Sequence, residues 1–152
     1  MTERSVVHDI FTLERVFDAA PEQVFTAFAD KDAKEQWFQG PPEWGKHKHV
    51  MDFRVGGIET SRGGPKDGPE HLMDGRYHEI VPNARIVFTY DMWVGDVQLS
   101  TSLQTIEFRG KGSGTQLVFT EQGVYYDAHE DPAERQEGTN ALLDAVVAAV
   151  DG

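Results

Sequence analysis

The stretch Ala84-Arg-Ile-Val-Phe-Thr-Tyr-Asp-Met-Trp-Val-Gly-Asp-Val-Gln-Leu-Ser-Thr-Ser-Leu-Gln-Thr-Ile-Glu-Phe-Arg109 decides the fold. Ile86, Phe88, Tyr90 and Met92 recur with period two, and Ile106 and Phe108 resume that period further on. Alternation of this kind marks strands with one face on a core and one toward water. Between the two runs stands Gly95-Asp96, a pair suited to a two-residue hairpin turn. The pattern extends both ways. Gly110-Lys-Gly-Ser-Gly114 joins 97–109 to a strand over 115–122, and Pro82-Asn83 joins a strand over 71–81 to 84–94. Strands linked one after another by short turns form an antiparallel meander.

Upstream, strands are expected over 49–55 and 57–62, broken by Gly56-Gly57, with a Gly/Pro-rich loop from Ser61 to Pro69. Residues 8–17 read as a first strand with Phe11, Leu13 and Phe17 on one face; Arg15 falls on that same apolar face. Pro21 stands where a helix begins, followed by Val24, Phe25 and Phe28 at helical spacing. Asp30 is placed to cap a second short helix, Lys31 to about Phe38, ended by Gly40-Pro41-Pro42. At the other end Asp131, Pro132 and Glu134 have the spacing of a capping box, and a helix runs to about Val150. Its expected buried side is Leu142, Leu143, Val146, Val147 and Val150, while Ala141, Ala145, Ala148 and Ala149 keep much of the surface small.

The order is therefore strand, two short helices, six strands, one long helix. This is an α+β chain in which the terminal helix alone is long enough to cover the sheet. Small residues on that helix would either leave a space beneath it, because apolar bulk is what fills such gaps, or simply let the helix pack closely on the sheet. With no repeat and no linker, residues 1–152 read as one domain.

Composition narrows the function. Fourteen Lys+Arg stand against 26 Asp+Glu, a formal charge of −12, which disfavours nucleic-acid backbones and anionic membranes. The absence of Cys excludes disulfides, thiolate nucleophiles and cysteine metal sites and suits a cytoplasmic setting. No run of the chain is apolar enough to insert in a membrane, Ala145–Val150 being the longest. The charge is uneven. Residues 45–66 hold five cations against two anions, a local +3, whereas 127–144 hold six anions against Arg135, a local −5. The basic stretch would welcome an anionic head group if it faced a pocket mouth.

Five motifs, in order, resemble one family. Arg15-Val-Phe-Asp-Ala-Ala-Pro-Glu-Gln-Val-Phe25 resembles the R-x-F-x-A-x-P-E-x-V-F opening of AHSA-type domains. These are homologues of the activator of a heat-shock chaperone's ATPase, within the START-like (SRPBCC) superfamily. Trp37-Phe38-Gln39-Gly40-Pro41, Arg54-Val55-Gly56-Gly57, Gly75 to Pro82 and Gly114-Thr115-Gln116-Leu117 are similar to the family's later motifs. Thr139 follows Gly138 where many relatives carry Trp. The resemblance implies a helix-grip fold (START-like, Bet v-like), a curved antiparallel sheet of six to seven strands around the last helix, enclosing a deep pocket. Function follows less closely, since that fold hosts carriers, receptors, cyclases and co-chaperones.

Alternation assigns the pocket walls. Tyr77, Phe88, Tyr90, Ile106 and Phe119 are the expected apolar lining from the sheet, with Phe53, Trp37 and Phe38 at its near end and Leu142 and Val146 from the helix. Arg15, Glu79, Gln104 and Glu121 share those faces as polar points, with Glu79 placed beside Tyr77 by period two. Greasy walls with a few polar groups suit a small hydrophobic or amphipathic ligand. Arg15 is also expected to pair with Glu79 or Glu121 beneath the sheet, and either carboxylate is a candidate for acid–base work.

Other chemistries find little support. His47 and His49 fall on one side of a strand without a carboxylate or third His at a recognised spacing, so no metal is expected. Ser100, Ser102 and Ser113 have no nucleophile-elbow context, and Gly110–Gly114 is a turn rather than a phosphate loop. No cofactor is expected. The leading function is binding of a small hydrophobic or amphipathic molecule; the alternatives are an enzyme of the polyketide cyclase/aromatase kind and a chaperone-interacting module. Trp93 beside the hairpin is a candidate homodimer contact.

Overall fold

Seven strands run β1 (Val6–Phe17), β2 (Lys48–Met51), β3 (Ile58–Gly63), β4 (His71–Val81), β5 (Arg85–Val94), β6 (Val97–Lys111) and β7 (Gly114–Tyr126) in the computed structural model, which describes residues 4–152. Helices α1 (Pro21–Ala29) and α2 (Lys31–Glu35) follow β1, and α3 (Pro132–Asp151) closes the chain. The sheet is antiparallel throughout, in the order β1-β7-β6-β5-β4-β3-β2. Consecutive hairpins build β2 to β7, and β1 then pairs with β7 along its full length, Val6 opposite Tyr126 and Phe17 opposite Thr115. The result is the helix-grip fold.

The core sits where the period-two faces meet the helices. Phe17, Ile86, Leu117 and Phe119 from the sheet bury with Val24 and Phe28 of α1 and Leu143 and Val146 of α3. Aromatic edges close the α1 side, with Phe108 packed edge-on against both Phe25 and Phe28. Asp131 caps α3 by accepting from the Ala133 N–H at 3.0 Å, so the cap forms one residue earlier than a Glu134 capping box requires.

Several boundaries differ from the sequence reading. The strand expected over 49–55 ends at Met51, because the chain turns through Asp52–Gly57. Gly57 N–H donates to Arg54 O at 2.8 Å there, and Gly56 takes a φ of 84°. The helix expected to reach Phe38 stops at Glu35, and Trp37 and Phe38 leave it on turn hydrogen bonds to Lys34 O. On β4 a bulge between Tyr77 and Glu79 adds His78 to the ladder. That extra residue breaks the alternation, so Tyr77 stays buried while Glu79 turns out to solvent.

Candidate functional site

Between the sheet and α3 lies a cavity of about 760 Å³. Its sheet wall is Met73 of β4, Phe88, Tyr90 and Met92 of β5, Gln104 and Ile106 of β6, and Phe119 of β7. The helix wall is Thr139, Leu142 and Leu143, interrupted by Gly138, Ala141 and Ala145, so two of the four alanines expected there face the space, while Ala148 and Ala149 are exposed and outside the lining. Trp37 and Phe38, with Phe28 behind them, close the end next to α2, and Trp44 and His71 pack ring to ring at 4.5 Å beside them. Trp37 is fixed by its Nε1–H, which donates to Ala27 O at 2.9 Å. Gly75 is required on β4 because the Phe88 ring lies across it: a Cβ at Gly75 would stand 2.0 Å from Phe88 Cζ.

Eight of the residues expected from the sequence thus line the cavity: Trp37, Phe38, Phe88, Tyr90, Gln104, Ile106, Phe119 and Leu142. Six do not. Phe53 and Tyr77 pack edge to face at 4.9 Å beyond the wall, and Val146 is wholly buried in the core. Arg15 lies toward α3, donating to Asp144 Oδ1 at 3.0 Å and Asn140 Oδ1 at 2.9 Å, instead of pairing with Glu79 or Glu121. Glu79, swung out by the bulge, pairs with Arg85 on the exposed side. Glu121 is buried behind the wall, where Tyr90 Oη and Gln104 Nε2 donate to it at 2.9 and 3.0 Å.

Two polar clusters flank the cavity. In the first, Arg135 of α3 uses all five guanidinium N–H groups. Nε and Nη2 donate to Glu130, Nη1 to Tyr90 Oη at 2.9 Å and to Ser102 Oγ at 3.3 Å, and Nη2 also to Ser100 Oγ at 2.9 Å. Glu121 Oε2 stands 3.5 Å away. Burial pushes the Glu121 carboxyl above the ordinary carboxylate range, against the pull of Arg135, Gln104 and Tyr90.

The second cluster centres on Glu59 of β3, a fully buried carboxylate. It accepts from Lys34 Nζ at 2.8 Å, from His49 Nε2 at 2.7 Å and from Tyr77 Oη. Burial alone would raise its pKa, but Lys34, His49 and Tyr77 together hold it down at about 2. Lys34 reaches across Phe38, Nζ lying 4.9 Å from the ring centre, and lines the cavity. Beside them His47 is held uncharged-leaning by burial and by His49, its pKa lowered from the usual histidine value.

Sequence reasoning passed over both cations. Arg135 carried a signal, because it precedes Thr139, Leu143 and Val146 on the one buried stripe of α3. Glu59 carried none, since its side of β3 continues as Ser61 and Gly63 and it is the one buried residue of that strand. Lys34 carried none, since its partner lies 25 residues away in the chain. The basic stretch 45–66 reaches the cavity through His47, Ser61 and Gly63, but its cations do not. Lys46, Lys48, Arg54 and Arg62 are exposed and absent from the lining, Arg54 pairing with Asp52 and Arg62 with Glu70. Glu130 and Glu134, from the acidic stretch, line the cavity instead.

A curved antiparallel sheet closed on one long helix, with a walled space between them, defines a START-like helix-grip domain. The chain belongs to the family described as activator of Hsp90 ATPase homolog 1-like protein, whose model matches residues 18–151. A solved structure from Rhizobium loti is 43% identical, covering 95% of this chain and 99% of that one at a TM-score of 0.89. A second, of an uncharacterized protein from Rhizobium leguminosarum, is 39% identical with 98% of each chain covered and a TM-score of 0.92. An AHSA1-like protein from Aeromonas hydrophila shares the fold at 20% identity, 93% and 92% coverage and a TM-score of 0.69. A search of curated proteins finds no match. No helix among the described residues is long and apolar enough to cross a membrane.

Proposed function

We propose that the protein binds a small hydrophobic or amphipathic molecule in the cavity between the sheet and α3. The observation that carries this is the cavity itself, about 760 Å³ walled by aromatic, Met and Leu side chains, with Gly138, Ala141 and Ala145 where larger residues would have filled it. Ligand pockets fall in this size range and have this make-up. The family match accords with a ligand-binding or co-chaperone-type module. A cyclase-like reading relied on Arg15, Glu79 and Glu121, and these three face α3, the solvent and the buried side of Tyr90.

The test is titration with a neutral environment-sensitive fluorophore such as N-phenyl-1-naphthylamine. Saturable one-to-one binding is expected. Gly138→Phe should abolish it while the protein stays folded, because a Cβ at Gly138 meets no atom within 4 Å and Gly138 lines the cavity. Unsaturable binding, or equal binding by the Gly138→Phe variant, would defeat the proposal.

A further inference from the structure

The charges around the cavity select among ligands. Every cation on its wall is already matched. Lys34 faces Glu59, and Arg135 faces Glu130 and Glu121. Glu134 adds a further anion to the lining, and no lysine or arginine of 45–66 joins it; His47 does, held toward its uncharged form by burial. A carboxylate entering this space would be a buried charge without a counter-charge, which is strongly unfavourable.

Hydrogen-bond capacity is not spent evenly. Arg135 has five donors and makes five bonds. Gln104 gives one N–H to Glu121, and the rest of its amide is uncharged and does not select by charge. Lys34 differs. Its ammonium has three donors; among the described residues Nζ makes one hydrogen bond, to Glu59. The remaining N–H groups are left to the faces of Phe38, Trp37 and Phe88, 4.9–5.9 Å away, and to the cavity. A cation would be repelled there and an anion would find the charge already neutralised. An uncharged acceptor meets neither difficulty.

Resting on the reading of the cavity as a ligand site, we infer that the ligand is an uncharged carbonyl compound (ketone, ester, lactone or amide) whose oxygen accepts from Lys34 Nζ. This corrects the anionic head group expected from the distribution of charge along the chain. Glu59 is then a selectivity residue: it does not touch the ligand, but its charge cancels that of Lys34.

Three probes of nearly equal shape separate the possibilities, each measured by displacement of the fluorophore at pH 7.5: 2-acetylnaphthalene, 2-ethylnaphthalene and 2-naphthoate. The ketone should bind about tenfold tighter than the hydrocarbon, the effect of one hydrogen bond to a charged donor, and at least tenfold tighter than the carboxylate. Glu59→Gln keeps a hydrogen-bonding side chain but removes the neutralising charge, so naphthoate should gain at least tenfold relative to the ketone. Lys34→Met/Glu59→Gln removes both charges and guards against a misfolded single variant. In it the ketone's advantage over the hydrocarbon should vanish while the hydrocarbon still displaces the fluorophore. Failure of all three probes to bind would overturn the ligand-site reading itself. Binding in which naphthoate matches or exceeds the ketone in wild type, or in which the ketone's advantage survives in the double variant, would overturn the inference alone.

Discussion

Glu59→Gln is also the sharpest probe of how the α2 end of the cavity is held. The carboxyl has a pKa of about 2 in the folded protein, against 4.5 for the free side chain. The folded-state value is depressed, so the ionised form is the stabilised one. Its contribution is fully present above pH 4.5 and fades as the pH falls toward 2. A difference of 4.5 − 2 is 2.5 pKa units, worth about 3 kcal/mol at neutral pH. The full figure is carried over because Glu59 has no solvent-exposed side-chain surface and solvent screens it little. Gln stands in for the protonated acid while retaining acceptor and donor atoms for its neighbours. Urea unfolding of wild type and variant, compared at pH 7 and pH 3, isolates this one group from the other titrating carboxylates. The variant should be about 3 kcal/mol less stable at pH 7, and the gap should shrink to under half of that at pH 3. A variant as stable as wild type at pH 7 would refute the reasoning, as would a deficit that is the same at both pH values.

Gly138→Ala should stabilise the protein by about 0.5–1 kcal/mol in thermal or urea unfolding, because Gly is a poor residue inside a helix and the site is open; loss of stability would show that the backbone there needs Gly. Gly75→Ala should do the reverse, by about 1–3 kcal/mol, since its Cβ would drive the Phe88 ring into the cavity; fluorophore affinity should fall with it, and an unchanged affinity would mean that the ring does not form the floor. Glu79→Gln should leave both the urea midpoint and fluorophore binding unchanged, given its exposed pairing with Arg85; a clear loss of binding would return Glu79 to the site.

The meander was legible because its information is local. Period-two alternation and the Gly95-Asp96 turn place β5 against β6 within a span of a few residues, and the ladder from Val94↔Val97 to Arg85↔Glu107 follows. Small residues on α3 likewise announced a space, because helical spacing says which of them share a face. Alternation failed where geometry changed without a sequence mark. Nothing in Tyr77-His78-Glu79 states that His78 is the extra residue of a bulge, yet that single insertion carries Glu79 from cavity to solvent. Charge followed a different rule. Counting cations along 45–66 ignored that Arg54 and Arg62 find partners at once, whereas Lys34, in a helix of five residues, is carried across Phe38 to a carboxylate on β3. Pairing of that kind is tertiary, and no window along the chain contains it.

The saturation of the buried carboxylates bears on what the cavity can do. An acid–base residue needs a lone pair or a proton within reach of substrate. Glu59 has one oxygen shared between Lys34 and Tyr77 and the other taken by His49; Glu121 has its oxygens taken by Tyr90, Gln104 and Arg135. Both face away from the space and into the wall. Each would have to give up buried hydrogen bonds before it could accept a proton from a bound molecule, and a half-satisfied buried network is unfavourable. Of the two cations on its wall, Lys34 keeps donor capacity that its single bond to Glu59 leaves unused, set among aromatic faces. On the proposed reading such a surface would hold an acceptor in place and orient it; neither carboxylate could move a proton before its own network was taken apart.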